Sequence, residues 1–264
     1  MISTQSDHSY RLPKSGAHQS QHGEDRWLDS YFRNKYNGFF VEVGAYDGVV
    51  LSNTYFFEIE RQWTGILIEP DSKNAANCRA NRSNSEICEC AAVGSPEIAE
   101  IAFFKVSGGE VYSTVNLVES HAQRLEQFGL TPTETKVAAR TLDQIFAKSE
   151  VKSIDFISID VEEGELDVLK GFDICRWMPK IMMIESNSVE RDPLIREYFV
   201  RHGYAYLHSI AINDLYRPAF GGRILSGPID WFRYSNALRK RTNTSALGAM
   251  RKFLDRHLFW RFKK

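Results

Sequence analysis

Phe39-Phe40-Val41-Glu42-Val43-Gly44-Ala45-Tyr46-Asp47-Gly48 decides the fold of this 264-residue chain. An apolar run carrying one acid reaches two glycines, and the segment after them reads as helix. A run of this kind is what a buried parallel strand looks like where it delivers backbone to a ligand. Gly44 suits a positive φ, or a closer approach than any Cβ permits. An ordinary strand–turn–helix junction shares these features. A second acid at the end of the next apolar run, Gly65-Ile66-Leu67-Ile68-Glu69-Pro70, favours a nucleoside-binding Rossmann-like half.

The spacing speaks to which nucleoside. A pyrophosphate dinucleotide needs Gly-x-Gly-x-x-Gly, because its charge rests on bare backbone amides at a helix N-terminus. Here the spacing is Gly44-x-x-x-Gly48, with Glu42 before it and Asp47 inside the loop. Two carboxylates at the turn repel phosphate and suit a ligand carrying a sulfonium and an ammonium. S-adenosylmethionine is expected over NAD.

The length is enough for one large α/β domain plus tails with a full core. The formal net charge of −1 conceals an asymmetry. From Arg239 to Lys264 nine Lys/Arg stand against one acid, Asp255, leaving 24 Lys/Arg and 33 Asp/Glu in the residues before them. Cys78, Cys88, Cys90 and Cys175 have neither Cys-x-x-Cys nor His-pair spacing, so no metal ligands are assigned and buried thiols in a reducing compartment are expected. Residues 1–16 are polar with no apolar core of a secretory signal, and no apolar run approaches the ~20 residues of a membrane span. A cytoplasmic protein is expected.

Along the chain, residues 1–19 read as a flexible lead and 20–234 as the main domain. A helix carries Trp27, Leu28, Tyr31 and Phe32, and after the first strand Ser52-Asn53-Thr54 caps a helix with Tyr55, Phe56, Ile59 and Trp63. Strand two is Gly65–Ile68, followed by a helix near 71–80; strand three spans Ser85–Val93 and a further strand Ile101–Val106. Residues 107–136 read as irregular, a lid or substrate loop, with His121 a candidate base inside it. A short extended piece at 137–140 and a helix from Thr141 follow. Ile154–Ile159 is a strand running into Asp160-Val161-Glu162-Glu163-Gly164-Glu165, and Lys180–Ile184 is another, ending Glu185-Ser186-Asn187. A helix at 193–202 leads to a closing antiparallel hairpin of 204–208 and 214–217. The expected fold is α/β, a doubly wound, mostly parallel Rossmann-like sheet. Glu42, Glu69, Cys90, Asp160 and Glu185 then gather at the carboxyl edge, where such sheets bind ligands.

Taken together and in order, the Phe39–Gly48 run, Ser52-Asn53-Thr54, Gly65–Pro70, Ala91-Ala92-Val93-Gly94, Ile159-Asp160-Val161-Glu162 and Val168-Leu169-Lys170-Gly171 resemble the FkbM-type methyltransferases. The resemblance covers about Ser20 to Arg217. It implies a class I, S-adenosylmethionine-dependent enzyme that methylates hydroxyls of sugars or natural products. Two departures stand out. Tyr46 replaces the usual second glycine of the class I loop, and Glu163 adds an acid to the family's Asp-Val-Glu-Gly. By the resemblance, Glu42, Gly44, Ala45 and Asp47 surround the methionine part of the cofactor, Glu69 takes the ribose hydroxyls, and Cys90 and Ala91 border the adenine. Asp160 sits beside the cofactor's amino group and the reacting hydroxyl; Asn53 and Pro70, within the matching motifs, complete the cofactor-binding set.

A sugar hydroxyl is a weak nucleophile, so a base or a metal should assist as its proton leaves. Asp160 and Glu162 are the catalytic candidates beside His121. Alternatively Asp160, Glu185 and Asn187 hold Mg²⁺, a reading not favoured here, or the acids simply cap the following helix. The expected acceptor is a sugar, glycan or glycolipid precursor; the alternatives are a cofactor-binding adaptor without chemistry, a Mg-dependent small-molecule O-methyltransferase and an NAD-dependent oxidoreductase. No nucleic-acid module accompanies the basic end. Residues 235–264 instead read as a basic amphipathic tail, with Leu247, Met250, Phe253 and Leu258 opposite Arg251, Lys252 and Arg256, fit either for peripheral membrane contact or for packing on the acidic body.

Overall fold

A computed structural model describes residues 18–149, 151–186 and 192–219. The expected lead, but for its last two residues, Asn187 and the basic tail lie outside the described residues. In chain order the first elements are α1 (Glu24–Tyr31), β1 (Phe39–Val43), α2 (Tyr55–Arg61), β2 (Thr64–Ile68), α3 (Ser72–Asn81), β3 (Ser85–Cys88), β4 (Ala91–Ala92) and β5 (Glu100–Val106). A 3-10 turn at Glu110–Tyr112 precedes α4 (Glu119–Gln127), β6 (Pro132–Arg140), α5 (Leu142–Lys148) and β7 (Phe156–Ile159). Then come α6 (Glu165–Lys170), α7 (Ile174–Trp177), β8 (Ile181–Glu185), α8 (Asp192–Arg201), β9 (Tyr204–Ile210) and β10 (Asn213–Pro218).

The main sheet has the order β3-β2-β1-β7-β8-β10-β9. Its first five strands are parallel, and β10 slots between β8 and β9, antiparallel to both. The doubly wound sheet and its closing hairpin are therefore as expected. Period-two alternation explains why both faces are covered. Val41, Val43, Ile157, Ile159, Met182 and Ile184 pack with residues of α5, α6, α7 and α8 on one face. Phe40, Phe156, Ile181 and Met183 pack with residues of α1, α2 and α3 on the other. There the Phe57 ring lies 4.8 Å from Trp63 and 5.2 Å from Phe156. Each such fully buried large side chain contributes about 1.5–3 kcal/mol.

From β1 the chain winds outward to β2 and β3, then returns to place β7 on the other side of β1. A crevice opens at such a reversal, beyond the carboxyl ends of the strands. Among the described residues no helix is long and apolar enough to cross a membrane.

Two stretches differ from expectation. The third strand does not continue to Val93: it leaves the main sheet after Cys88, where the Cys90 amide turns back to the Cys88 carbonyl at 3.1 Å. Ala91–Ala92 then joins a second sheet of order β4-β6-β5. The stretch 107–136 is not irregular: it holds the 3-10 turn, α4 and the first half of β6. In α4 only His121 and Leu125 are buried, and β6 is mostly exposed, so neither has the apolar stripe by which periodicity reveals an element.

Candidate active site

The loop after β1 turns at Gly44, whose φ is +85°. A Cβ there would stand 1.8 Å from the Asp160 carbonyl oxygen, so the close approach that requires glycine is to the chain's own backbone. Tyr46 takes φ +50°, the left-handed conformation in which a glycine would be at ease. Its amide donates to Oε2 of Glu69 at 2.9 Å, which helps hold a side chain there.

Nearly every amide of this loop has an acceptor within the protein. Gly44 and Ala45 donate to the Ile68 carbonyl at 3.0 and 3.2 Å, and Gly48 donates to Ala45 at 2.8 Å. Val49 and Val50 donate to Oδ1 of Asp47 at 2.9 and 2.8 Å. A pyrophosphate would find no row of free amides, which argues against the dinucleotide alternative. Asp47 itself does not line the cavity described below: its carboxylate closes the turn, a correction to its expected place beside the cofactor.

Glu42 points from β1 into a buried knot. Its Oε1 accepts from the Asn53 amide at 2.8 Å, and its Oε2 from Ser52 Oγ at 2.8 Å and Thr54 Oγ1 at 2.6 Å. Arg82, fully buried behind it, donates to Glu58 at 2.8 Å, the Gly48 carbonyl at 2.8 Å and Thr54 Oγ1 at 2.9 Å. Burial still raises the Glu42 carboxyl above its usual range, against the pull of Arg82. Asn53 Nδ2 donates to Ser158 Oγ at 3.0 Å, tying this knot to β7.

At the end of β2, Glu69 accepts from the Asp71 amide through Oε1 at 2.9 Å. Burial pushes its carboxyl up to about 7. Pro70 follows it on the cavity wall, and Asp71 caps α3 by accepting from Asn74 at 3.0 Å. Cys90, Ala91, Ala92, Ile68 and Phe103 add apolar side chains to the lining of the same cavity.

The third wall is acidic. Asp160 and Glu185 are hydrogen-bonded through their carboxyls, and removal from water raises both above their usual range. Glu185, which also feels the charges of Asp160, Glu162 and Glu165, stands well above it. A hydrogen bond between two carboxyls needs one proton between them. Carboxylate oxygens of Asp160, Glu162 and Glu185 lie within 4.8 Å of one another. Hard oxygen donors in such a group are also what a divalent cation would use. Arg124 already neutralises Glu162 at 2.5 Å, however, and a shared proton reduces the charge of the other two.

The additional acid is absorbed by the backbone. Glu162 and Glu163 both take positive φ, +52° and +86°. Thr114 Oγ1 donates to the Glu162 carbonyl at 2.5 Å and Asn116 Nδ2 to that of Glu163 at 2.9 Å. Buried Glu165 accepts from the amides of Val161 and Glu163, each at 3.2 Å. Burial raises its carboxyl to about 8.

His121 is a correction as a base. It is buried outside the cavity lining, with Nε2 at 2.8 Å from the Tyr112 carbonyl and Nδ1 at 2.7 Å from Arg124 Nη2. The carbonyl accepts the Nε2 proton and Nδ1 accepts from arginine, so no ring nitrogen is open to a substrate proton.

Of the expected residues, Glu42, Gly44, Ala45, Asn53, Glu69, Pro70, Cys90, Ala91, Asp160 and Glu162 all line one cavity of about 400 Å³. That is within the usual range for a small-molecule site. Arg124, Ser158 and Glu185 line it as well, and Leu51, Val111 and Phe128 supply solvent-exposed apolar side chains to its wall.

The profile of the methyltransferase FkbM domain matches residues 42–206. No curated protein gives a significant match. Solved structures similar to the chain include the precorrin-6y C5,15-methyltransferase from Geobacter metallireducens GS-15, at 11% identity and TM-score 0.42, covering 77% of this chain and 80% of that one. Others are a TehB-like SAM-dependent methyltransferase from Corynebacterium glutamicum (11%, 0.39, 75% and 89%) and a methyltransferase from Pyrococcus furiosus (10%, 0.38, 74% and 83%).

Proposed function

Because this chain belongs to the FkbM methyltransferase family, we propose that it moves a methyl group from S-adenosylmethionine to a hydroxyl of a sugar or glycolipid acceptor. The observation that carries the reading is the carboxyl pair Asp160–Glu185 on the wall of a cavity whose loop amides are already occupied. The cavity residues fit that cofactor. Glu69 offers buried carboxylate oxygens to ribose hydroxyls, Cys90 and Ala91 offer small apolar side chains beside which adenine fits, and the acids near Gly44 suit an ammonium. When bound, the cofactor supplies a methyl already activated by its sulfonium.

The protein's share is therefore alignment, exclusion of water and removal of one proton. Asp160 accepts one hydrogen bond from Glu185 and keeps oxygen lone pairs for an acceptor hydroxyl. Burial raises its affinity for a proton, which brings it nearer the range of a useful base. As the hydroxyl oxygen gains its bond to carbon, its proton passes to Asp160. Thr114 and Asn116 fix the Glu162–Glu163 loop beside this pair, and Leu51, Val111 and Phe128 give the acceptor's less polar face a surface to rest on.

The carboxylates of Asp160, Glu162 and Glu185 favour one second reading, a Mg-dependent O-methyltransferase. One assay separates the two. Purified protein is incubated with methyl-labelled S-adenosylmethionine and a panel of sugars, glycolipids and catechol-type phenols, with and without EDTA. Label on a sugar hydroxyl, unaffected by EDTA, supports the proposal. Label only on phenols, and only with Mg²⁺, supports the second reading in its place.

A further inference from the structure

Arg124 lies on α4 and lines the cavity. Its Nη2 is fixed from two sides, donating to Nδ1 of His121 at 2.7 Å and to Oε2 of Glu162 at 2.5 Å. The Tyr112 ring sits 5.7 Å from the guanidinium carbon, and the carbonyl of the same residue holds His121 in place. The guanidinium is thus set by three groups through one nitrogen and one ring face. The N–H donors on Nε and Nη1 have no acceptor among the described residues. A guanidinium anchored at one nitrogen with its others open is arranged to receive a planar anion.

The charges around it narrow the choice of ligand group. Glu42, Glu69, Glu110, Asp160, Glu162 and Glu185 line the same cavity, and Arg124 is the one Lys, Arg or His among its described lining residues. The amides of Gly44, Ala45 and Tyr46, which would otherwise receive an anion at the loop, are bonded to Ile68 and Glu69. Among the described lining residues, a carboxylate brought into this cavity finds acids and neutral side chains, and Arg124 is its one cationic partner. S-adenosylmethionine carries a sulfonium, an ammonium and one carboxylate, so the acidic wall answers its cations and leaves its carboxylate needing a partner.

Resting on the cofactor reading above, we infer that Arg124 binds the carboxylate of the methyl donor. His121 and Glu162 are the positioning residues that aim the guanidinium. This gives α4 and the 3-10 turn before it a purpose: they carry the one cationic group the cavity needs. It also gives the buried His121 a role that does not involve taking a substrate proton.

The test is calorimetry on the full chain with two probes. One is S-adenosylhomocysteine; the other is its decarboxylated analogue, which keeps the adenosine, the sulfur and the amine. Wild type should prefer the first. Arg124→Gln should weaken S-adenosylhomocysteine roughly tenfold or more while changing the decarboxylated analogue by no more than about twofold. Retained binding of the analogue also shows that the variant has folded. Equal weakening of both probes, or of neither, overturns the inference while leaving the cofactor reading intact. Failure of wild type to bind either probe removes both together.

Discussion

The Asp160 carbonyl oxygen occupies the space a side chain at Gly44 would need: a Cβ on that glycine would stand 1.8 Å from it. The ends of β1 and β7 are thereby locked together at the crevice, and Gly44 also sits at φ +85°. Gly44→Ala is expected to cost about 2–3 kcal/mol or more, lowering the melting temperature by roughly 5–10 °C. Thermal unfolding by circular dichroism checks this. An unchanged transition would mean the two strand ends are not in contact.

Arg82 should matter as much to stability without touching any ligand. Arg82→Met removes the cation between Glu42, Glu58 and the Gly48 carbonyl and leaves buried carboxylates without it. Loss of one partner from a buried network of this kind costs about 3–5 kcal/mol. Urea unfolding of Arg82→Met and of Arg82→Met with Glu58→Gln is the measurement. The double variant should recover part of the loss; if the single variant is as stable as wild type, the knot contributes nothing.

Much of this site was legible because its residues end apolar runs. Glu42, Gly44, Glu69 and Asp160 each stand where a strand-like pattern stops, and the sheet edge brings strand ends together. Arg82 carried no such mark. It follows α3 with no pattern around it, and its partners lie 24 to 40 residues away. Arg124 and the true extent of β6 were hidden for a related reason: α4 and β6 are mainly exposed and lack a periodic apolar face. His121 drew attention because histidine can be a base, but sequence does not say whether both ring nitrogens are already engaged. Tyr46 shows the converse, a residue that departs from the usual class I glycine loop while keeping the left-handed backbone.

The buried acids give stability a definite pH dependence. Glu69 and Glu165 are raised to about 7 and about 8 in the fold from an ordinary value of 4.5. Between those values the native state holds more protons than the unfolded chain, so stability falls as pH rises. Their contribution is full below about 4.5 and lost as pH climbs through 7 to 8. The melting temperature should therefore decline from pH 5 to pH 8, about this range being set by the two groups, and Glu165→Gln should flatten the decline. A melting temperature that rises across that interval in wild type would contradict the assignment.

Asp160 and Glu185 should respond differently to the same loss of an ionisable group. Asp160→Asn should fold with a near-normal melting temperature and lose about 10²-fold or more in methyl-transfer rate, as the proton acceptor is gone. Glu185→Gln keeps a neutral hydrogen-bond donor beside Asp160, so a loss of about tenfold or less is expected. Rates for the two variants over a range of pH make the comparison. If Glu185→Gln is the more damaging of the two, the proton has been placed on the wrong carboxyl.

The central claim is that the cavity above Gly44 binds S-adenosylmethionine, with Glu69 holding its ribose. Isothermal titration of S-adenosylhomocysteine into wild type and Glu69→Ala tests it most directly. Hydrogen bonds to a charged group are worth about 1.5–3 kcal/mol, so the variant should bind roughly 10- to 100-fold more weakly than a wild type that binds at a single site. Equal affinity in the two proteins, or no binding by wild type, would contradict the claim.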